Sequence, residues 1–195
     1  MNTMENRISL PAPDFSRQGN VMEALKNRKT LREFSPGKIK MQDLADLVWA
    51  ACGVNREDGR KTAGSALNRQ DCSLYVITDS CAYLYDCKRH ELVAVREGDW
   101  RDAVAGPQKF AKDAPLSLLI VSDYSKIGDP DDSYIQSLCA MDAGIISQNI
   151  SLFCASAGLA TVARAKMDGP ALREILGLSP HQHPLLNHPV GYVRV

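Results

Sequence analysis

The stretch RKTLREFSP, residues 28 to 36, sets Arg28, Lys29 and Arg32 around the hydroxyl of Thr30. Guanidinium groups and a hydroxyl at this spacing can chelate the oxygens of a phosphate. The same cations could instead complement the dipole of a short preceding helix while staying in water, or begin a strand edge. A second group, GSALNRQ at 64 to 70, puts Ser65, Asn68 and Gln70 in a polar, glycine-bearing loop. Paired amide donors and acceptors suit the edge of a heteroaromatic ring, and amides in loops also serve simply as turn formers.

Any anion site must be local, because 23 basic side chains balance 23 acidic ones over 195 residues. Zero net charge disfavours a nucleic-acid module or a surface for acidic membranes. The N-terminus lacks an apolar stretch of signal-peptide length, and no segment is expected to reach the length of a membrane span. Six cysteines form no CxxC pair, and four sit inside apolar runs. That usage predicts reduced thiols and a cytoplasmic protein.

The elements that must position these groups follow from periodicity. Residues 1 to 20, with Pro11, Pro13 and Gly19, predict an extended arm that wraps a neighbouring surface, and residues 21 to 195 a single domain. Asn20 is a candidate N-cap for a helix through Met22 and Leu25, and Leu44, Leu47, Val48 and Ala51 recur at helical spacing before Gly53. CSLYVIT (72 to 78), AYLYDC (82 to 87) and ELVAV (91 to 95) read as strands. A short helix within 100 to 112 is broken at Gly106-Pro107, and LSLLIVSD (116 to 123) reads as a strand buried on both faces. Residues 132 to 157 form a long helix whose apolar side chains spread too widely for one neighbour to cover. Strands are then expected at TVARA (161 to 165) and PVGYVRV (189 to 195), with a helix at GPALREILGL between them. Strands and helices mix without regular alternation, which predicts an α+β fold.

Three further features have ordinary readings. His181, His183 and His188 in HQHPLLNHP lack a fourth ligand for zinc and are expected in a solvated loop. Asp142 is expected to bond within its helix or to pair with an arginine of the 28 to 32 cluster. Lys166, beside a strand end, is expected at the surface.

Taken together and in order, four stretches resemble the nitroreductase family of FMN-dependent oxidoreductases. Arg28, Lys29, Thr30, Arg32 and Phe34 are similar to its R-[RKH]-[ST]-x-[RK]-x-F motif, and Ser65, Asn68 and Gln70 to its P-S-x-x-N-x-Q-P stretch. DAGIISQNISLFCASAGLATV (142 to 162) resembles the family's central helix, and PVGY its last strand. The resemblance implies a central mixed or antiparallel sheet flanked by helices, with a long buried helix, in an intertwined homodimer with FMN at the interface.

It further implies that Arg28, Lys29 and Thr30 bind the FMN phosphate, while Arg32 and Asn68 approach the pyrimidine edge. Ser65 and Gln70 would belong to the same cofactor set, with Ser65 and Asn68 acting across or close to the interface. The backbone N–H of Ala165 or Lys166 would face flavin N5 and O4, and Arg194 is the candidate C-terminal phosphate ligand. NAD(P)H would be the co-substrate, passing a hydride through N5 to an electrophilic acceptor such as a quinone or nitro compound. The absence of a GxGxxG after a strand fits, since family members resemble ping-pong enzymes that use one flavin face in turn. The chain departs from the family at Gly64, at Asp71-Cys72 and at Ala165, where glutamate is frequent. These departures leave a second expectation open, a protein that holds FMN without turnover.

Overall fold

The run LSLLIVSD forms the centre of the molecule because every second side chain has a separate core to enter. In the computed structural model, which describes residues 6 to 194, it is strand β5, Leu116–Asp123. Leu118 and Ile120 enter one hydrophobic cluster, and Leu119 and Val121 enter another on the opposite face. All four are at most 2% exposed, so the two-faced burial expected of this strand is observed.

Seven strands form one sheet, ordered β1-β4-β3-β2-β5-β7-β6. They are β1 (Arg7–Ser9), β2 (Cys72–Thr78), β3 (Cys81–Asp86), β4 (Glu91–Glu97), β5, β6 (Leu159–Thr161) and β7 (Gln182–Tyr192). Every pairing is antiparallel. Helices α1 (Val21–Asn27), α2 (Met41–Cys52), α3 (Arg101–Ala105), α4 (Ser133–Ser156) and α5 (Gly169–Leu176) complete an α+β architecture. Leu44, Leu47 and Val48 of α2 and Ile146 and Ile150 of α4 join the first cluster, while Val104 of α3 and Leu172 of α5 join the second.

Local signals explain most boundaries. The Asn20 side chain accepts from Glu23 N at the start of α1, and Asp168 does the same for Ala171 N at the start of α5. Gly177, at φ 62°, ends α5 in the left-handed conformation that glycine adopts without a Cβ penalty.

Several expectations need correction. The arm covers its own chain: Arg7–Ser9 pairs with β4, Asp14 N donates to Asp46 Oδ1 at 2.8 Å, and Phe15 packs edge-on against Trp49. The strand expected at 161 to 165 ends at Thr161, and Arg164 makes only an isolated bridge to Asn187. The last strand begins seven residues early, at Gln182, so His183 and His188 lie in β7 rather than in a solvated loop. His188 is fully buried, bonded to Ser147 Oγ at 2.7 Å and to Thr161 Oγ1 at 3.2 Å.

Helix α4 also exceeds expectation. Its 24 residues, with a mean hydropathy of 1.3 over the most apolar stretch, are long and apolar enough to cross a membrane. One face instead lies in the core through Cys139, Ala143, Ile146, Ile150 and Cys154, at helical spacing. The opposite face exposes Tyr134, Met141 and Ile145. All six cysteines are unpaired thiols, five of them buried, and burial pushes the Cys52 thiol up to about 12.

Candidate functional site

The basic stretch is both a helix end and a strand edge. Arg28 N donates to Ala24 O at 2.9 Å and closes α1. The chain then extends along the sheet: Leu31 N donates to Thr161 O at 3.0 Å, Phe34 bridges Val193, and Ser35 Oγ donates to Val193 O at 2.8 Å. Phe34 is buried against Ala114 and Ala160, which fixes the register and leaves Arg28, Lys29, Thr30 and Arg32 exposed. The Val193 contact brings exposed Arg194 to the same edge. Among the described residues none of these four cations meets a carboxylate. A cleft of ≈ 360 Å³ beside them is lined by Lys26, Lys29, Ser151 and Thr161.

From Thr161 the chain runs along β7 past Ala165 and Lys166, both exposed. Arg164 N donates to Asn187 O at 2.9 Å, and Arg164 O accepts from Asn187 N at 2.7 Å. The N–H of Ala165 shares a trans peptide with that carbonyl and therefore points away from β7. Lys166 O is likewise turned inward, accepting from Arg164 Nη2 at 3.0 Å and Asn187 Nδ2 at 3.4 Å. The Met167 N–H, in the same peptide, points outward. Neither outward N–H has a partner among the described residues. Peptide geometry thus offers donors at Ala165 and Met167, whereas sequence pointed to Ala165 or Lys166.

The amide loop is strained and closed on itself. Leu67, Asn68 and Gln70 hold φ of 52°, 54° and 49°, each costing about 1–2 kcal/mol for a residue with a Cβ. Ser65 Oγ accepts from Gln70 N at 2.9 Å, and Gln70 Nε2 donates to Gly59 O at 3.2 Å, so both side chains support the turn. Asn68 stays exposed. Asp142 neither bonds within its helix nor pairs with an arginine of the cluster; its Oδ2 accepts from Ala66 N at 2.7 Å and anchors the loop to α4.

Strand register separates the two groups. Cys72, just after the amide loop, pairs with Ser122 at one end of β5, while Leu116 at the other end pairs with Val190 beside the basic edge. Six residues of strand span about 20 Å, so the amide loop lies at one end of β5 and the basic edge at the other.

Sequence passed over Arg164 and read Asp71 only as a departure from the family pattern. Asp71 is fully buried, and its Oδ2 accepts from Ser122 Oγ and Cys72 Sγ. Burial, and secondarily the neighbouring Asp71, push Asp142 up to about 6 despite the Ala66 N–H. Arg164 is 5% exposed with no carboxylate partner among the described residues, and burial alone pulls its pKa down. His188 is pulled down to about 3 by burial and is neutral. A charged residue inside the apolar run TVARA, or directly before CSLYVIT, was the available signal for Arg164 and Asp71.

Comparison with known proteins gives the family and the fold. The chain matches the Nitroreductase family over residues 25–192. A crystal structure from Ralstonia eutropha JMP134, of a protein named as a nitroreductase, is 33% identical with a TM-score of 0.92, covering 100% of this chain and 93% of that one. A Methanocaldococcus jannaschii protein, also named as a nitroreductase, is 28% identical over 96% of this chain and 98% of its own length. The NADPH:FMN oxidoreductase of Vibrio harveyi, solved in complex with NAD+, shares the fold with a TM-score of 0.66 at 22% identity, covering 91% of this chain and 70% of that one. The chain belongs to the nitroreductase family of oxidoreductases.

Proposed function

We propose that the protein is a homodimeric FMN-dependent oxidoreductase that takes electrons from NAD(P)H and reduces an electrophilic organic acceptor, a nitro compound or a quinone. The observation that carries this reading is a sheet edge with exposed Arg28, Lys29, Arg32 and Arg194, without carboxylate partners among the described residues, together with the outward N–H groups of Ala165 and Met167. Cations without carboxylates suit a phosphate, and outward backbone donors suit the heteroatoms of a polar ring, so the donor set fits FMN.

Bound FMN would supply hydride transfer, and the protein the position and the field. Arg28, Lys29 and Thr30 would hold the phosphate, with Arg194 as a further ligand. Arg32 would stand at the pyrimidine edge, where a cation favours the negative charge that reduction adds. Ala165 N–H and Met167 N–H would orient the ring by donating to it.

Ser65, Asn68 and Gln70 enter as the contribution of a second copy. The separation of about 20 Å along β5 supports that division, since the amide loop and the basic edge lie at opposite ends of the strand. The exposed face of Tyr134, Met141 and Ile145 on α4, and the exposed Val21, Met22 and Leu25 on α1, which packs on the C-terminal end of α4, support a homodimer.

An absorbance spectrum before and after anaerobic NADPH tests the function. Flavin absorbance near one FMN per chain that bleaches on addition is expected, and colourless protein that cannot be reconstituted with FMN would sink the reading. Flavin that neither NADH nor NADPH reduces would favour the second reading, a protein that holds FMN without turnover.

A further inference from the structure

The guanidinium of Arg164 uses all five of its N–H donors. Nε donates to Gln108 Oε1 at 2.9 Å, Nη1 to Val104 O at 3.3 Å and Asn187 Oδ1 at 2.6 Å, and Nη2 to Ala105 O at 2.6 Å and Lys166 O at 3.0 Å. Val104 and Ala105 are the last residues of α3, whose terminal carbonyls have no partner within the helix. One side chain therefore ties a helix end, strand β7 and the 164 to 167 segment together. All five acceptors are neutral, so its positive charge is left uncompensated inside the protein.

Its placement follows from alternation. Ala163 and Ala165 are exposed, so the residue between them turns inward, behind the peptides that aim Ala165 N–H and Met167 N–H outward. Without the guanidinium, Lys166 O would keep only the 3.4 Å contact from Asn187 Nδ2, and Ala105 O only the bond from Gln108 N at 3.1 Å.

We propose that Arg164 is a positioning residue for the flavin, fixing the two outward N–H donors and placing a buried positive charge behind the ring that makes it easier to reduce. This rests on the FMN reading given above. Being buried, the charge is screened far less than the exposed cations at the phosphate end.

The test is the midpoint potential of bound FMN in wild type and three variants, with thermal unfolding of each apo-protein alongside. Gln108→Glu sets a carboxylate against Arg164 Nε without removing a hydrogen bond. It is expected to lower the potential by about 30 mV, the two-electron equivalent of a tenfold shift toward oxidised flavin. Lys109→Glu, one residue along on a side chain that faces Asp102, changes net charge more and should leave the potential unmoved. Arg164→Lys keeps the charge but reaches at most three acceptors, so FMN retention should weaken severalfold while the potential stays nearer wild type.

Wild-type potential in Gln108→Glu, or an equal fall in Lys109→Glu, would overturn the role of the charge. FMN retention in Arg164→Lys equal to wild type would overturn the positioning role, whatever its unfolding temperature. Wild-type protein that takes up no FMN would overturn the flavin reading and this proposal with it, and is recognised by the missing flavin absorbance before any variant is made.

Discussion

Asp71 and Asp142 are neighbouring carboxylates, both buried, and the presence of Asp71 adds to the burial that pushes the Asp142 carboxyl up. Asp71 Oδ1 is buried and has no donor among the described residues, and a proton on Asp142 would supply one. Because Asp142 also anchors Ala66 N, the state of this pair is coupled to the amide loop.

The pair makes stability depend on pH. Asp142 is raised from 3.8 to about 6, so between those values the folded chain holds a proton that the unfolded chain has released. The contribution is complete below the unfolded value and is lost as pH rises through about 6, amounting to ~2–3 kcal/mol. Asp142→Asn can accept from Ala66 N with its oxygen and donate to Asp71 with its nitrogen. Urea unfolding at about pH 5 and about pH 8 should show a smaller loss for the variant than for wild type. Parallel pH profiles would rule out a proton held on Asp142 in the folded chain.

Arg28→Ala should weaken FMN retention about tenfold, or about 1.4 kcal/mol, with little change in unfolding temperature. The side chain is exposed and has no ion pair among the described residues, so the fold loses little when it is cut back. Flavin occupancy equal to wild type would leave the cluster as a solvated helix end.

How far the sequence could be read depended on whether local pattern or distant packing decided a segment. CSLYVIT and LSLLIVSD announced strands because both faces are buried and β-branched and aliphatic residues fill them. The early half of β7 was hidden by Pro184, which argues against a strand with neighbours on both sides. β6 pairs only with Val190 on β7 and its two successors, so one side of the earlier residues is free of a neighbouring strand and tolerates the missing N–H of Pro184. Arg28 and Arg32 stood out as a site because their charges are consecutive in sequence. Arg164 did not, because its five acceptors come from segments up to 60 residues away.

His188 gives the opposite pH dependence from the acid pair. Burial holds its pKa near 3, well under the usual 6.5, so the unfolded chain takes up a proton that the folded chain refuses. Stability is whole above about 6.5 and falls with acid by about 1.4 kcal/mol per pH unit down to about 3. His188→Gln retains polar atoms for Ser147 and Thr161 and cannot charge. Normalised to its own stability at neutral pH, its acid-unfolding midpoint should move to lower pH than in wild type. A midpoint unchanged or moved to higher pH would show that His188 does not set acid sensitivity.

The exposed face of α4 provides the last test, because Tyr134, Met141 and Ile145 stand 67%, 63% and 43% exposed along one side of an apolar helix. Helix positions seven and eleven apart share a face, so these three side chains form a stripe rather than scattered exceptions. If that stripe joins two copies, a charge in its middle must be buried without a partner, which costs several kcal/mol. Met141→Glu is therefore expected to sediment as a monomer at concentrations where wild type is a dimer, and to lose FMN with the interface. The monomer's own unfolding temperature should change little, since Met141 makes no contribution to either buried cluster. A Met141→Glu protein that remains dimeric and yellow would place the interface on another surface and detach the 65 to 70 loop from the cofactor.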